Sequence, residues 1–133
     1  MILLDTHVLL WMDLGKDGLG PATQRLIQTG WTEGRICVSA ISFWECAMLH
    51  RRGRVNLRLA PVRWRAELLA AGLIEHRLDG ETGIVAAQLE ARHRDPADRF
   101  IAATAVVNDA TLVTADDQLL RLRSKLKLQN ARR

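Results

Sequence analysis

Short apolar runs, MILLD, RICVS, GLIEHRL and TLVTA, recur along the chain, with longer stretches of helical periodicity between them. Runs of this length suit buried strands, and when they alternate with helices each helix carries the chain back across the sheet, so successive strands lie parallel. The pattern therefore predicts an α/β domain with a central, mainly parallel sheet. MILLD reads as the first strand, followed by a short helix over about 7–13 and a second opening near Pro21. RICVS leads into the helix ISFWECAMLHRR, which Gly53 ends. A helix from Pro61 to about residue 71 precedes GLIEHRL. Helices over about 81–93 and 96–108 precede TLVTA, and a short helix DQLLRLR and an edge strand near KLKL complete the order.

At 133 residues the chain has the length of one domain, expected to span 1–133. Hydrophobic residues make up 48% and charged residues 26%, an ordinary balance for a folded globular protein. The apolar opening MILLDTHVLLWM is interrupted by Asp5 and His7 before it could span a bilayer, and it lacks a basic leader, so no membrane association and a cytoplasmic location are expected. Cys37 and Cys46 lie inside apolar runs and read as two buried thiols. The net charge of +4, carried mostly by arginine, favours polyanionic partners such as nucleic acid without saying which.

Four acids stand at points where α/β sheets collect ligands. Asp5 closes the first strand and also suits the cap of the helix that follows. Glu45 lies three residues after Ser42, the spacing of a capping box. Asp98 falls in the first turn of a helix that Asp95 would cap and Pro96 would open, where it complements the helix dipole. Asp116 and Asp117 follow TLVTA and precede a helix, one as a cap and the other as surface.

Geometry joins these separate readings. A helix of about 13 residues is roughly 20 Å long, comparable to a strand with its turns, so the turn bearing Asp98 should lie beside the end of the strand before Asp116. The same reasoning brings Glu45 to the edge that carries Asp5. Clustered carboxylates repel unless cations neutralise them, and their hard oxygens favour Mg²⁺ or Mn²⁺ over zinc. With a basic surface around such a site, metal-assisted phosphodiester hydrolysis is the fitting reaction.

The ordered segments LLDTHVLLW, SAISFWE, HRDPADRFIAATA and LVTADDQL resemble those of the PIN domain of VapC-type toxins from bacterial toxin–antitoxin pairs, over nearly the whole chain. The resemblance implies a three-layer α/β/α fold. It also implies a metal-dependent endoribonuclease, with Asp5, Glu45, Asp98 and Asp116 as catalytic, metal-binding acids and Thr6, Ser42 and Thr114 supporting them. Asp95 and Asp117 fall outside the pattern. An RNA substrate, a cognate antitoxin and a homodimer are implied in the same way. Two departures stand out: the common DPFDR reads DPADR, and Leu49 stands where a lysine is frequent. The second puts a substrate contact in doubt, which His50, Arg51 or Arg52 would have to replace.

Between Glu45 and Glu67 there is no acid but six arginines: Arg51, Arg52, Arg54, Arg58, Arg63 and Arg65. The run could track an RNA backbone, meet an acidic partner or simply face solvent. Arg51, Arg52 and Arg54 are the candidate contacts, joined by Trp64, whose arginine neighbours suggest a stacking or interface residue. Trp11 and Trp44, with apolar neighbours, read as core or interface residues. His7, His50, His76 and His93 lack metal-ligand spacing and read as structural or surface groups, although His7 could lie near Asp5.

Two other functions compete. A haloacid dehalogenase-type phosphatase would require a second aspartate two residues after Asp5, where His7 stands. A catalytically inactive PIN-like module binding RNA or a partner would be expected to have lost acids, whereas all four are present.

Overall fold

The computed structural model describes residues 1–15, 18–89, 95–122 and 126–133. In chain order the elements are β1 (Ile2–Leu4), α1 (Thr6–Leu14), α2 (Pro21–Thr32), β2 (Ile36–Ser39), α3 (Ala40–Arg51), α4 (Pro61–Ala70), β3 (Ile74–His76), α5 (Gly80–Gln88), α6 (Pro96–Val107), β4 (Thr111–Thr114), α7 (Asp117–Leu120) and β5 (Lys127–Asn130). The five strands form one sheet in the order β3-β2-β1-β4-β5, and every pairing is parallel. The expected strands are all present, including the one near KLKL. The helix expected over 81–93 occupies Gly80–Gln88, and its expected end, with His93, lies outside the described residues.

Helix boundaries follow local chemistry. Gly15 takes φ 68 at the end of α1, a left-handed conformation that costs glycine little. Pro21, Pro61 and Pro96 each open a helix, where the missing N–H is no loss. One start differs from expectation. Helix α3 begins at Ala40 with Ser39 as its cap, Oγ accepting from the Ile41 N–H at 3.3 Å, so Ser42 and Glu45 do not form a capping box. Both instead lie inside the helix, one turn apart.

Strand alternation distributes the core onto both sheet faces. Ile2, Leu4, Ile36, Val38 and Val113 point into a core built with α1, α2 and α4, filled by Leu9, Leu10, Ile27, Trp64 and Leu68. Leu3, Cys37 and Leu112 point the other way, onto α5 and α6, where Ala86, Ala102, Ala103 and Ala105 supply a surface of small side chains. Helix α3 lies at the boundary, with Cys46 in the first core and Ile41 against the second. Helices thus cover both faces of the sheet, giving the three-layer arrangement. Burial raises the thiols of Cys37 and Cys46 to about 12, and both are free, as expected for buried cysteines.

The strand order fixes where a ligand can sit. From β1 the chain builds outward to β2 and β3, then returns to place β4 on the other side of β1. Connections leave β1 and β4 in opposite directions along the sheet, opening a crevice beyond their carboxyl ends. Asp5 follows β1, and Thr114 ends β4.

Candidate active site

Asp5 is almost fully buried, 5% exposed, at the sheet's carboxyl rim. Its N–H donates to the Val113 carbonyl at 3.0 Å, which continues the pairing of β1 with β4 by one residue. Its carboxylate caps α1: Oδ1 accepts from the Thr6 N–H at 2.8 Å, and Oδ2 accepts from the Thr114 hydroxyl at 2.7 Å. The cap and the site are one arrangement, since the bonds that end β1 and start α1 also fix the carboxyl orientation.

Thr6 extends the network to α3. Its hydroxyl donates to Glu45 Oε1 at 2.5 Å and lies 2.9 Å from Ser42 Oγ. A hydroxyl carries one proton, so with that proton directed to Glu45 the Ser42 hydroxyl is the donor of the second bond. Ser42 and Glu45 share a face because they are three residues apart on a helix, and that face meets the first turn of α1. The three hydroxyl residues singled out from the sequence, Thr6, Ser42 and Thr114, all contact the acid network and are buried.

Asp116 caps α7, Oδ1 accepting from the Gln118 and Leu119 N–H groups at 2.7 and 3.3 Å, while its own N–H donates to Thr114 Oγ1 at 3.0 Å. Asp117 is exposed, so the cap and surface roles divide as expected. Asp98 stands in the first turn of α6, which Asp95 caps by accepting from the Ala97 N–H at 3.0 Å. The neighbouring Arg99 reaches back to the end of α5, donating to the carbonyls of Ala86 and Leu89 at 3.2 and 2.8 Å, and so ties that first turn in place.

Electrostatics brings the acids together. Burial pushes the Asp98 carboxyl up to about 8, reinforced by the charges of Asp5, Asp95, Asp116 and Glu45. Glu45 is raised by burial and by Asp5 and Asp95, against the Thr6 hydrogen bond and His7. Asp5 is raised by burial, opposed by the Thr114 and Thr6 hydrogen bonds and by His7, with Asp116 adding to the rise. Carboxyls that raise one another this way share a confined volume.

Two participants were missed or set aside in the sequence. Asp95 feeds charge into Asp98 and Glu45; its place one helical turn before Asp98 was the available signal. His7 acts on both Asp5 and Glu45. The other described histidines are structural: His50 Nδ1 accepts from the Leu57 N–H at 3.3 Å, and His76, with Nε2 buried, is lowered by that burial.

The tryptophans require a correction. Trp64 is 4% exposed, its indole N–H donating to Asp13 Oδ2 at 2.8 Å and its ring edge-on to Phe43, so it cannot stack on a base. Trp44 is 54% exposed, so of its core-or-interface reading only the interface half survives. Within the arginine run, Arg65 pairs with Glu75 through both carboxylate oxygens, at 2.9 and 2.6 Å, and Arg58 reaches the Asp13 carbonyl at 3.1 Å. Arg51, Arg52 and Arg54 are exposed.

The donor set suits a hard divalent cation: carboxylate oxygens, partly or fully buried, with Asp5, Glu45 and Asp98 raised first by that burial. Asp5, Glu45, Asp98 and Asp116 are the residues that would hold it. Among the described residues no three of His, Cys, Asp and Glu already form a ready cage.

The chain belongs to the PIN domain family, which it matches over residues 2–125. It is 35% identical over 123 residues to ribonuclease VapC22 of Mycobacterium tuberculosis, covering 89% of this chain and 88% of that protein. Two solved structures share the fold: VapBC2 from Rickettsia felis bound to a fragment of promoter DNA (TM-score 0.71, 17% identity, 98% of each chain) and DNA-bound VapBC from Salmonella typhimurium (TM-score 0.67, 19% identity, 97% of this chain and 98% of that one). The expected PIN-like α/β/α architecture is the observed one.

Proposed function

We propose that the chain, acting as one domain over 1–133, is an endoribonuclease that hydrolyses RNA phosphodiester bonds with Mg²⁺ or Mn²⁺, and that it is the toxin of a toxin–antitoxin pair. The observation that carries this reading is the convergence of Asp5, Glu45, Asp98 and Asp116 on one rim, with Asp98 raised to about 8. The similarity to a ribonuclease supplies the substrate class.

A bound cation supplies Lewis acidity at the phosphoryl group and makes water a better nucleophile at neutral pH. The protein residues divide the remaining work. Asp5, fixed by Thr6 and Thr114, is the preorganised ligand. Glu45, oriented by Thr6 and Ser42, supplies a second carboxylate from the facing helix. Asp98 and Asp116 close the site from the ends of α6 and α7. Thr6 and Thr114 act by orienting carboxylates, the part that supporting hydrogen bonds play around metals. Arg51, Arg52 and Arg54 are proposed RNA or partner contacts at the far end of α3. Trp64 is no longer among them.

For the antitoxin, a groove of about 670 Å³ between α1, α2 and α4 is lined by Trp11, Met12, Leu19, Ile27, Trp31 and Leu68. Such a groove suits an apolar helix or strand of a partner. The solved structures described above are toxin–antitoxin assemblies, which supports that partner class. We also propose a homodimer and a cytoplasmic location. Among the described residues no helix is long and apolar enough to cross a membrane.

Purified protein incubated with RNA and Mg²⁺ or Mn²⁺ is expected to cleave it internally, and excess EDTA to stop it. Asp5→Asn should lower the rate about 100-fold or more, matching several kcal/mol of lost charge stabilisation. Equal cleavage by wild type and Asp5→Asn would overturn the assignment. RNA binding with no cleavage under any divalent cation would leave the inactive binding module as the function.

A further inference from the structure

The proposed chemistry leaves one feature of the rim unused: an aromatic pair at its mouth. His7 is exposed in the first turn of α1, directly after Asp5 and Thr6, and its charge reaches both Asp5 and Glu45. One turn on, Trp11 lies roughly parallel to it, with ring centroids 6.5 Å apart and an interplanar angle of 24°. Trp11 is itself braced. Its other contacts are with the first core, and the Gly18 backbone comes so close that a Cβ at that position would fall 2.3 Å from indole Cδ2. The imidazole is the exposed, solvent-facing member of the pair, and Gly18 is wedged against the indole.

We propose that the exposed face of His7 is a stacking platform for the nucleobase next to the scissile phosphate, with Trp11 and Gly18 as its rigid backing. The inference rests on the ribonuclease reading and adds to it a substrate contact that the acids do not provide. The face of an imidazole presents no donor to a phosphate but a flat surface to a base, so a base is the part of the strand that fits it. A flat imidazole already aligned with a second ring meets a base with little ordering cost. Stacking also tolerates every base, so His7 would fix the position of the strand and not its sequence.

Steady-state cleavage of one RNA by wild type, His7→Ala, His7→Gln and His7→Phe tests this. KM should rise roughly tenfold for His7→Ala and His7→Gln, which lack a ring, and return close to the wild-type value for His7→Phe. The change in kcat should be much smaller. A second readout uses the non-cleaving Asp98→Asn protein and RNA carrying 2-aminopurine beside the cut position. Binding should quench that fluorophore, and adding His7→Ala should remove the quench. Wild-type KM and an intact quench in His7→Ala would overturn the platform while leaving the nuclease standing. Rescue by His7→Gln but not His7→Phe would overturn it in favour of a hydrogen-bonding role. Failure of the wild-type protein to cut RNA would overturn the nuclease reading itself.

Discussion

The acids at the sheet rim and those on the outer surface answer differently to their surroundings. On the surface, Glu75 is held below its ordinary range by Arg65, Asp79 by the N–H and hydroxyl of Thr82, and Asp109 by Lys127, 2.8 Å away. At the rim, Asp5, Glu45 and Asp98 are all raised, by burial first, with neighbouring acids adding to it: Asp116 for Asp5, Asp5 and Asp95 for Glu45, and Asp5, Asp95, Asp116 and Glu45 for Asp98. The surface carboxylates have cationic or N–H partners, whereas at the rim Asp5 and Glu45 accept from hydroxyls, which orient them without adding a positive charge. Buried acids raised together at one sheet edge are the usual mark of a functional site.

The sharpest way to break this contrast is Asp98→Asn. Cleavage should fall about 100-fold or more, yet without divalent cation the variant should melt higher than wild type at pH 8 to 9. Loss of activity together with loss of stability would mean Asp98 is a structural acid like those on the surface.

The pH dependence has a defined sign. Asp98 is raised to about 8 in the folded protein, so the folded state holds a proton that the unfolded chain has already released. Stability tied to that proton is fully present below the unfolded carboxyl pKa, near 4, and is lost as pH rises through about 8. Differential scanning fluorimetry in EDTA should show a melting temperature that declines across this window, with Asp98→Asn flattening the decline. Mg²⁺ or Mn²⁺ at 100 times its dissociation constant should then add about 2.7 kcal/mol. No stabilisation by either cation at pH 8 would sink the metal assignment.

Thr6→Val keeps the shape of the side chain but removes the hydroxyl shared by Glu45 and Ser42. Metal affinity or cleavage should fall roughly 10- to 100-fold, the range for groups that orient a metal ligand. An unaffected rate would show that Glu45 is positioned by something else. Glu75→Gln should do least: a slight fall in melting temperature at low ionic strength, erased by high salt, with cleavage unchanged.

Much of this was legible in the chain. The alternation of apolar runs with helices announced the parallel sheet, and Asp5 and Asp116 sit where a strand end and a helix cap put them. What escaped was helical phase. S-x-x-E reads the same as a capping box or as two inward residues one turn apart. Only the length of β2, which carries the cap back to Ser39, decides between them. The tryptophans misled for a related reason. Arg63 and Arg65 flank Trp64 in sequence, but adjacent helix residues point about 100° apart. The relevant neighbour is Leu68, four residues on and equally buried. His7 could be placed near Asp5 from adjacency in the chain, but its effect on Glu45, which stands on a different helix, is something no spacing reports.

The bond from Thr114 to Asp5 joins residues 109 positions apart in the sequence. Asp5 and Glu45 emerge early in synthesis, while Asp98, Thr114 and Asp116 come last, and the centre of the sheet is incomplete until β4 pairs with β1. Contacts of such separation form late. The order of synthesis and the order of assembly are thus opposed at this rim: a growing chain that stops short of β4 carries Asp5 and Glu45 but neither the strand nor the hydroxyl that fixes the Asp5 carboxylate.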